Sequence, residues 1–308
     1  VRADIRDFDT LRKTYERHRP DYVFHLAAQP IVRRGFTEPV YTIETNVVGT
    51  MNVLETLRVS AYDCIAILIT TDKVYENVEW VWAYRENDAL GGHDPYSASK
   101  SCAEVLISTY QRSFFEVAAS DAPKIHAASV RGGNVIGGGD WAKDRIVPDS
   151  IRSLSESQPI PVRNRKATRP WQHVLELLSG YLHLGSQIHA ARTASDHDRL
   201  AALCSPFNFG PNLTSNRSVE ALVTEILKHW PGEWTDFTPP DARHEAGKLN
   251  LTIDKAYHAL GWQPQWGFEE TIRHLAEWYR SFYADSDPSS VQALTQGQIR
   301  AYAKGLAY

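Results

Sequence analysis

Two clusters in this 308-residue chain carry residue types that do chemistry. The first is Thr71-Asp72-Lys73, just after the apolar run Cys64 to Ile69. A threonine hydroxyl there can hydrogen-bond a substrate oxygen, and Asp and Lys offer paired acid and base groups. The second is Tyr96-Ser97-Ala98-Ser99-Lys100, behind Pro95. Tyr and Lys four apart on a helix share one face. An ammonium beside a phenol lowers the phenol's pKa from about 10 toward neutrality, which gives a usable general base. Taken alone, T-D-K is ordinarily a loop cap and Y-x-x-x-K a solvated helix face. Their company decides.

That company is a set of elements able to position them. Thr10 to His18 reads as a short helix, Asp21 to Ala27 as a buried strand, and Val40 to Arg58 as a long helix with apolar Val40, Ile43, Val47, Met51, Leu54 and Leu57. A strand at Cys64–Ile69, a helix from about Tyr96 to Phe115 and a strand at Ile125–Val130 follow. Continuously apolar strands alternating with helices predict an α/β fold around a doubly wound parallel sheet. Ligands of such sheets bind outside the carboxyl ends of the strands, where Thr71 falls. Beyond Arg131, Gly, Pro, Trp and Arg become frequent, and helical patterns recur at 146–157, 174–191, 219–230, 253–260 and 268–283. A smaller cap woven from these later segments is expected.

Composition narrows the function. Hydrophobic content of 43% and charged content of 23% are ordinary for a globular protein. A net charge of −4 gives no footprint for nucleic acid or an acidic membrane. No apolar run approaches the roughly 20 residues that span a bilayer. The three cysteines lack metal spacing and read as reduced thiols of a cytoplasmic protein. No metal site is expected, because His244-Glu245 lacks the second histidine of H-E-x-x-H.

Other clusters admit a plain and a sharper reading. Asp4 is an N-cap or an acidic contact to a cofactor ribose. Leu26-Ala27-Ala28 is close sheet packing or a backbone platform for a dinucleotide. His25 reads as a packed strand histidine. Gly137-Gly138-Gly139 fits neither a P-loop nor a dinucleotide fingerprint and reads as a loop over a substrate pocket. Arg163, Arg165, Lys166 and Arg169 form a solvated loop or Arg forks for a pyrophosphate.

Together these residues resemble the extended short-chain dehydrogenase/reductases. The matching segments are HLAAQPIVRRGF, TNVVGTMNVLETLR, TTDKVYENVEWVWAYRENDALGGHDPYSASK, GGNVIGGGDWAKDRIVPD, RNRKATRPWQHVLELLSGYL and HEAGKLNLTIDKAYHALGW, in the family's order over nearly the whole chain. The DK-x-YEN-x-EW-x-W and GGGDWA…DRIVPD strings are similar to the branch of 4,6-dehydratases that acts on CDP-glucose.

The resemblance implies a Rossmann-type NAD-binding domain over 1–133 and a mainly substrate-binding, mixed α/β cap over 134–308, with some segments returning to the sheet. It implies tightly bound NAD, with Asp4, Ile5, Leu26, Ala27, Ala28, Gln29, Thr70, Tyr96, Lys100 and Arg131 as its contacts. Asn134, Arg145, Arg163, Asn164, Arg169 and His244 would hold the nucleotide sugar. Tyr96 would deprotonate the fourth-carbon hydroxyl with Thr71 and Lys100 assisting, and Asp72 would protonate the leaving sixth-carbon hydroxyl. Lys73 stands where dTDP-glucose dehydratases carry Glu as base for the fifth-carbon proton; base and structural ion pair both remain open. Family departures are Thr71 for Ser, Arg165 for Pro, and a Gly-rich loop expected before Val1, without which NAD would bind weakly. A homodimer or dimer of dimers and a role in surface deoxysugar synthesis follow from the same resemblance. The rival readings are another nucleotide-sugar dehydratase, an epimerase, or a non-catalytic NAD-binding relative.

Overall fold

The computed structural model describes residues 1–60, 62–116, 124–237, 248–285 and 287–306. Its main sheet has four parallel strands: β1 (Tyr22–His25), β2 (Cys64–Ile69), β3 (Ile125–Arg131) and the short Phe207–Asn208, adjacent in that order. In β2, Cys64, Ala66 and Leu68 pack with Leu54, Leu57 and Ile107 on one face. Ile65 and Ile67 pack with Leu177, Leu184 and Phe207 on the other. A strand covered on both faces must be apolar at every position, which is why CIAILI shows no alternation. Each fully buried Ile or Leu here contributes about 1.5–3 kcal/mol.

A second core joins Val147, Ile151, Ile160, Trp171, Leu222, Ile226, Phe268, Ile272 and Tyr279, all from beyond Arg131. The helix Val174–Thr193 leaves this region and returns to the sheet, so the two cores share one backbone. Helices His197–Leu203 and Pro288–Lys304 were not anticipated from pattern. No described helix is long and apolar enough to cross a membrane.

Two boundaries differ from expectation in a way that serves the site. The helix expected over 40–58 is interrupted: Val32–Thr37 precedes it, and Pro39–Ile43 passes through a π turn, Glu44–Val48, into Gly49–Arg58. The widened turn carries Asn46, whose amide binds both the N–H and the C=O of Gln29, at 2.8 and 3.1 Å, and Ser99 Oγ at 2.8 Å. π turns recur where a side chain must leave the helical register. β1 ends at His25 rather than at Ala27, because Leu26 to Gln29 turn off the ladder.

Candidate active site

The site begins where β2 ends. Thr71 is the N-cap of a short 3₁₀ turn, Asp72–Val74; its hydroxyl accepts from Lys73 N at 3.4 Å and donates to Asp72 Oδ1 at 3.0 Å. Asp72 N donates to Gly132 O, which ties this turn to the end of β3. Asp72 is 2% exposed, and its Oδ2 has no partner among the described residues. Burial pushes its carboxyl above the usual range, against the pull of Lys73, Thr71 and Arg169. A buried carboxyl with a raised pKa and one free oxygen is chemically able to donate a proton. Lys73 is half-buried beside it.

Tyr96 and Lys100 lie on the helix Pro95–Tyr110. Asp94 caps it by accepting from Ser97 N at 3.0 Å, and Pro95 occupies the first turn, where its missing N–H costs nothing. Both side chains are buried. Lys100 Nζ donates to Ile69 O at 3.0 Å, and among the described residues its other two N–H bonds are unused. Burial pushes the Lys100 ammonium down to about 8, with Glu104 opposing.

Burial works against the low phenol pKa that the Tyr–Lys spacing suggested. It pushes the Tyr96 phenol up to about 12, outweighing the nearby Thr71 hydroxyl and the charge of Arg145. The reason is geometric: the ammonium is drawn to the β2 backbone, and the phenol sits in a dry cleft that penalises its anion. The site as folded holds a protonated phenol beside Thr71.

Of the expected cofactor contacts, Leu26 is 54% exposed at the carboxyl end of β1, with Ala27 and Ala28 following it. Thr70 Oγ1 donates to Glu104 Oε1 at 2.5 Å. Asp4 is bound by Arg6 at 2.7 Å, which holds its carboxyl down to about 2, and Ile5 packs against Gly49. Two of the expected contacts have internal partners. Gln29 is committed throughout, its backbone to Asn46 and its side chain to Ile31 and Thr42, so it shapes the edge of the cleft. Arg131 is 2% exposed and its guanidinium donates to Glu104, Tyr75 and Glu86 O. His25 is packed as read, its Nε2 3.0 Å from Thr50 Oγ1.

The later segments bring two arginines to the same cleft: Arg145 acts electrostatically on Tyr96, and Arg169 on Asp72. Arg145 is oriented by Asp140 at 2.9 Å. Asn134 follows Gly132-Gly133 with φ +50°, the left-handed region that Asn tolerates best after Gly. Arg163 reaches Asp144 at 3.3 Å, and Asn164 is exposed in the adjoining turn. His244 lies outside the described residues. Sequence reading missed Arg33, which reaches the same Asp144 from the first half of the chain at 3.1 Å. It also missed Asn46 and Glu104. For Glu104 a signal existed: it lies one turn after Lys100 on an otherwise small or apolar face.

The family model described as GDP-mannose 4,6 dehydratase matches residues 1–275. The chain is 42% identical over 286 residues to the CDP-glucose 4,6-dehydratase of Salmonella typhimurium, covering 92% of this chain and 77% of that protein. Among solved structures it is similar to the UDP-glucose 4-epimerase of Thermotoga maritima with UDP-glucose (TM-score 0.75, 21% identity, 92% of this chain and 84% of that one). It is similar also to a dTDP-glucose 4,6-dehydratase double mutant from Streptomyces venezuelae solved with NAD (TM-score 0.74, 20% identity, 91% and 79%). At those identities the structures establish the Rossmann-type fold, whereas the family model and the 42% relative establish kinship: the chain belongs to the GDP-mannose 4,6 dehydratase family, nucleotide-sugar lyases of the extended short-chain dehydrogenase/reductase class.

Proposed function

We propose that the protein dehydrates CDP-glucose to CDP-4-keto-6-deoxyglucose with NAD as a resident cofactor. The observation that carries this reading is Asp72: a buried carboxyl whose pKa desolvation raises, with one oxygen unpartnered among the described residues and Thr71 on the other. An epimerase needs no group to expel water, so that rival leaves Asp72 without a task.

The residues present fit NAD. The carboxyl edge of β1 offers exposed Leu26 and small Ala27 and Ala28 as an apolar platform, and Lys100 keeps two N–H bonds for ribose hydroxyls. Asp4, Ile5 and Thr70 complete the residues that would hold it. When bound, NAD supplies the acceptor for the fourth-carbon hydride and its later donor to the sixth carbon.

The chain's own groups handle the protons. Tyr96 takes the proton of the fourth-carbon hydroxyl, which Thr71 orients. Because burial holds the phenol high, its loss of a proton must coincide with departure of the hydride and be supported by the Lys100 charge. The fourth carbon then bears a ketone, which acidifies the fifth-carbon proton. Lys73, in its neutral form, removes that proton and returns it to the fifth carbon when the hydride reaches the sixth, and Asp72 delivers its own proton to the sixth-carbon hydroxyl, which leaves as water. Arg145, Arg163 and Arg169, with Asn134 and Asn164, hold the sugar and its pyrophosphate.

Assembly and setting belong to the same proposal. Val40, Ile43, Val48 and Met51 on the 39–58 segment, and Val105 and Phe114 beyond Lys100, are exposed apolar side chains that a second copy would cover. A homodimer, or a dimer of dimers, is the expected state; a single monomer mass by light scattering at micromolar concentration removes it. A cytoplasmic location and a place in surface deoxysugar synthesis follow from the substrate. The deciding assay offers the protein CDP-glucose, dTDP-glucose and GDP-mannose with NAD and follows the alkaline absorbance of a 4-keto sugar. Turnover of CDP-glucose above the others is expected, and none with CDP-glucose overturns the reading.

A further inference from the structure

We propose that Glu104 is a positioning residue of this reaction: from beneath the cleft its carboxylate keeps Lys100 charged and pins the end of β2 on which Lys100, Thr71 and Asp72 are aligned. The inference rests on the dehydratase reading above and concerns a residue that touches neither sugar nor cofactor.

The geometry is a buried relay behind the site. Glu104 lies one helical turn after Lys100, on the same face, and is 3% exposed. Its Oε1 accepts from Thr70 Oγ1 at 2.5 Å; its Oε2 accepts from Ser129 Oγ at 2.9 Å and Arg131 Nη2 at 2.7 Å. Arg131 Nη1 donates onward to Tyr75 OH at 2.8 Å, and Tyr75 OH to Asn208 Oδ1 at 2.7 Å. One carboxylate therefore ties the catalytic helix to β2 and β3, and through Arg131 to the fourth strand. Thr70 sits between Ile69, whose carbonyl holds Lys100, and Thr71, so Glu104 fixes the backbone at the point where both catalytic clusters meet.

The charge matters as well as the hydrogen bonds. An amide at 104 could still accept from one of the two hydroxyls through its oxygen and donate to the other through its nitrogen; only a carboxylate offers Lys100 a counter-charge. Among the described residues, the titratable groups around Lys100 are Glu104 on its own helix, Tyr96 one turn earlier, and His25 from β1. His25 is pushed down to about 3 by burial and is neutral, and Tyr96 is a neutral phenol, so Glu104 is the only anion among them. Glu104 is faced in turn by Arg131 from β3. The plainer alternative is that Glu104 serves only to neutralise Arg131.

The two are separated by replacing the pair together. Glu104→Gln alone strands a buried guanidinium and threatens the fold, whereas Glu104→Gln with Arg131→Met removes both charges at once. The experiment follows the ε-carbon resonance of Lys100 in ¹³C-lysine-labelled protein across pH, assigned with Lys100→Arg, alongside turnover of CDP-glucose. The wild-type midpoint is expected near 8. In the double variant it is expected to fall by about one pH unit, with the alkaline limb of kcat moving equally. In Glu104→Asp, which keeps the charge, it is expected to stay near the wild-type value. An unchanged midpoint in the folded double variant, or a fall in Glu104→Asp as large as in the double variant, overturns the proposal. Absence of turnover by the wild type overturns the dehydratase reading instead, because the Lys100 titration is read without substrate.

Discussion

A Cβ on Gly133 would lie 1.9 Å from Asp72 Oδ2. The unpartnered oxygen of the acid is therefore seated against a residue with no side chain, and any larger residue must displace it. Gly133→Ala is expected to lower kcat by about 10²-fold through misplacement of the acid, with the fold retained. Formation of the 4-keto sugar measures the loss; wild-type kcat in this variant would mean that Asp72 is not the proton donor.

Asp72→Asn should trade activity for stability. The folded-state pKa of Asp72 lies above its unfolded value, so the folded chain binds the extra proton. That contribution is fully present below the unfolded pKa and is lost as pH rises through the folded one. At neutral pH an amide, which cannot ionise and still accepts from Thr71, removes the penalty. A gain of about 1 kcal/mol, or about 2–4 °C in Tm, is expected, with turnover reduced about 10²–10⁴-fold. Calorimetry at pH 5 and pH 8 checks the sign, since the gain must be larger at the higher pH.

The alkaline limb of activity should belong to Lys100. Its ammonium, pushed down to about 8 by burial, loses its proton as pH rises through that value, and the support it gives to ionisation of Tyr96 is lost with it. The kcat profile is expected to fall above about pH 8, and Lys100→Arg, which stays charged, should be slower yet flat over the same range. A limb that persists in Lys100→Arg would assign it to another group.

Tyr96→Phe separates the first proton transfer from the second. It removes one buried hydroxyl and keeps the ring, so Tm should move by less than about 4 °C while turnover falls about 10²–10⁴-fold. In the proposed sequence Tyr96 acts before water is lost, so rapid mixing with CDP-glucose should show no reduced cofactor in Tyr96→Phe and a transient accumulation in Asp72→Asn. Equal behaviour of the two variants would show that the roles are misassigned.

What the sequence determined by itself was everything carried by short-range pattern. The unbroken apolar run of β2 announced a strand buried on both faces, Asp94-Pro95 marked the start of the catalytic helix, and the four-residue step from Tyr96 to Lys100 put both on one face. The strings around Asp72 and Arg145 carried the family. Tertiary structure decided what depends on distant partners. Glu104 and Arg131 are 27 residues apart and Arg33 and Asp144 are 111 apart, and no local period connects either pair. The π turn that delivers Asn46 to Gln29 is a local irregularity with a remote purpose. Burial, which pushes Asp72 and Tyr96 up and Lys100 down, is a property of the assembled cleft. Sequence spacing could say that a phenol and an ammonium would meet, but only the packed interior set how dry their meeting place is, and with it which of them holds its proton.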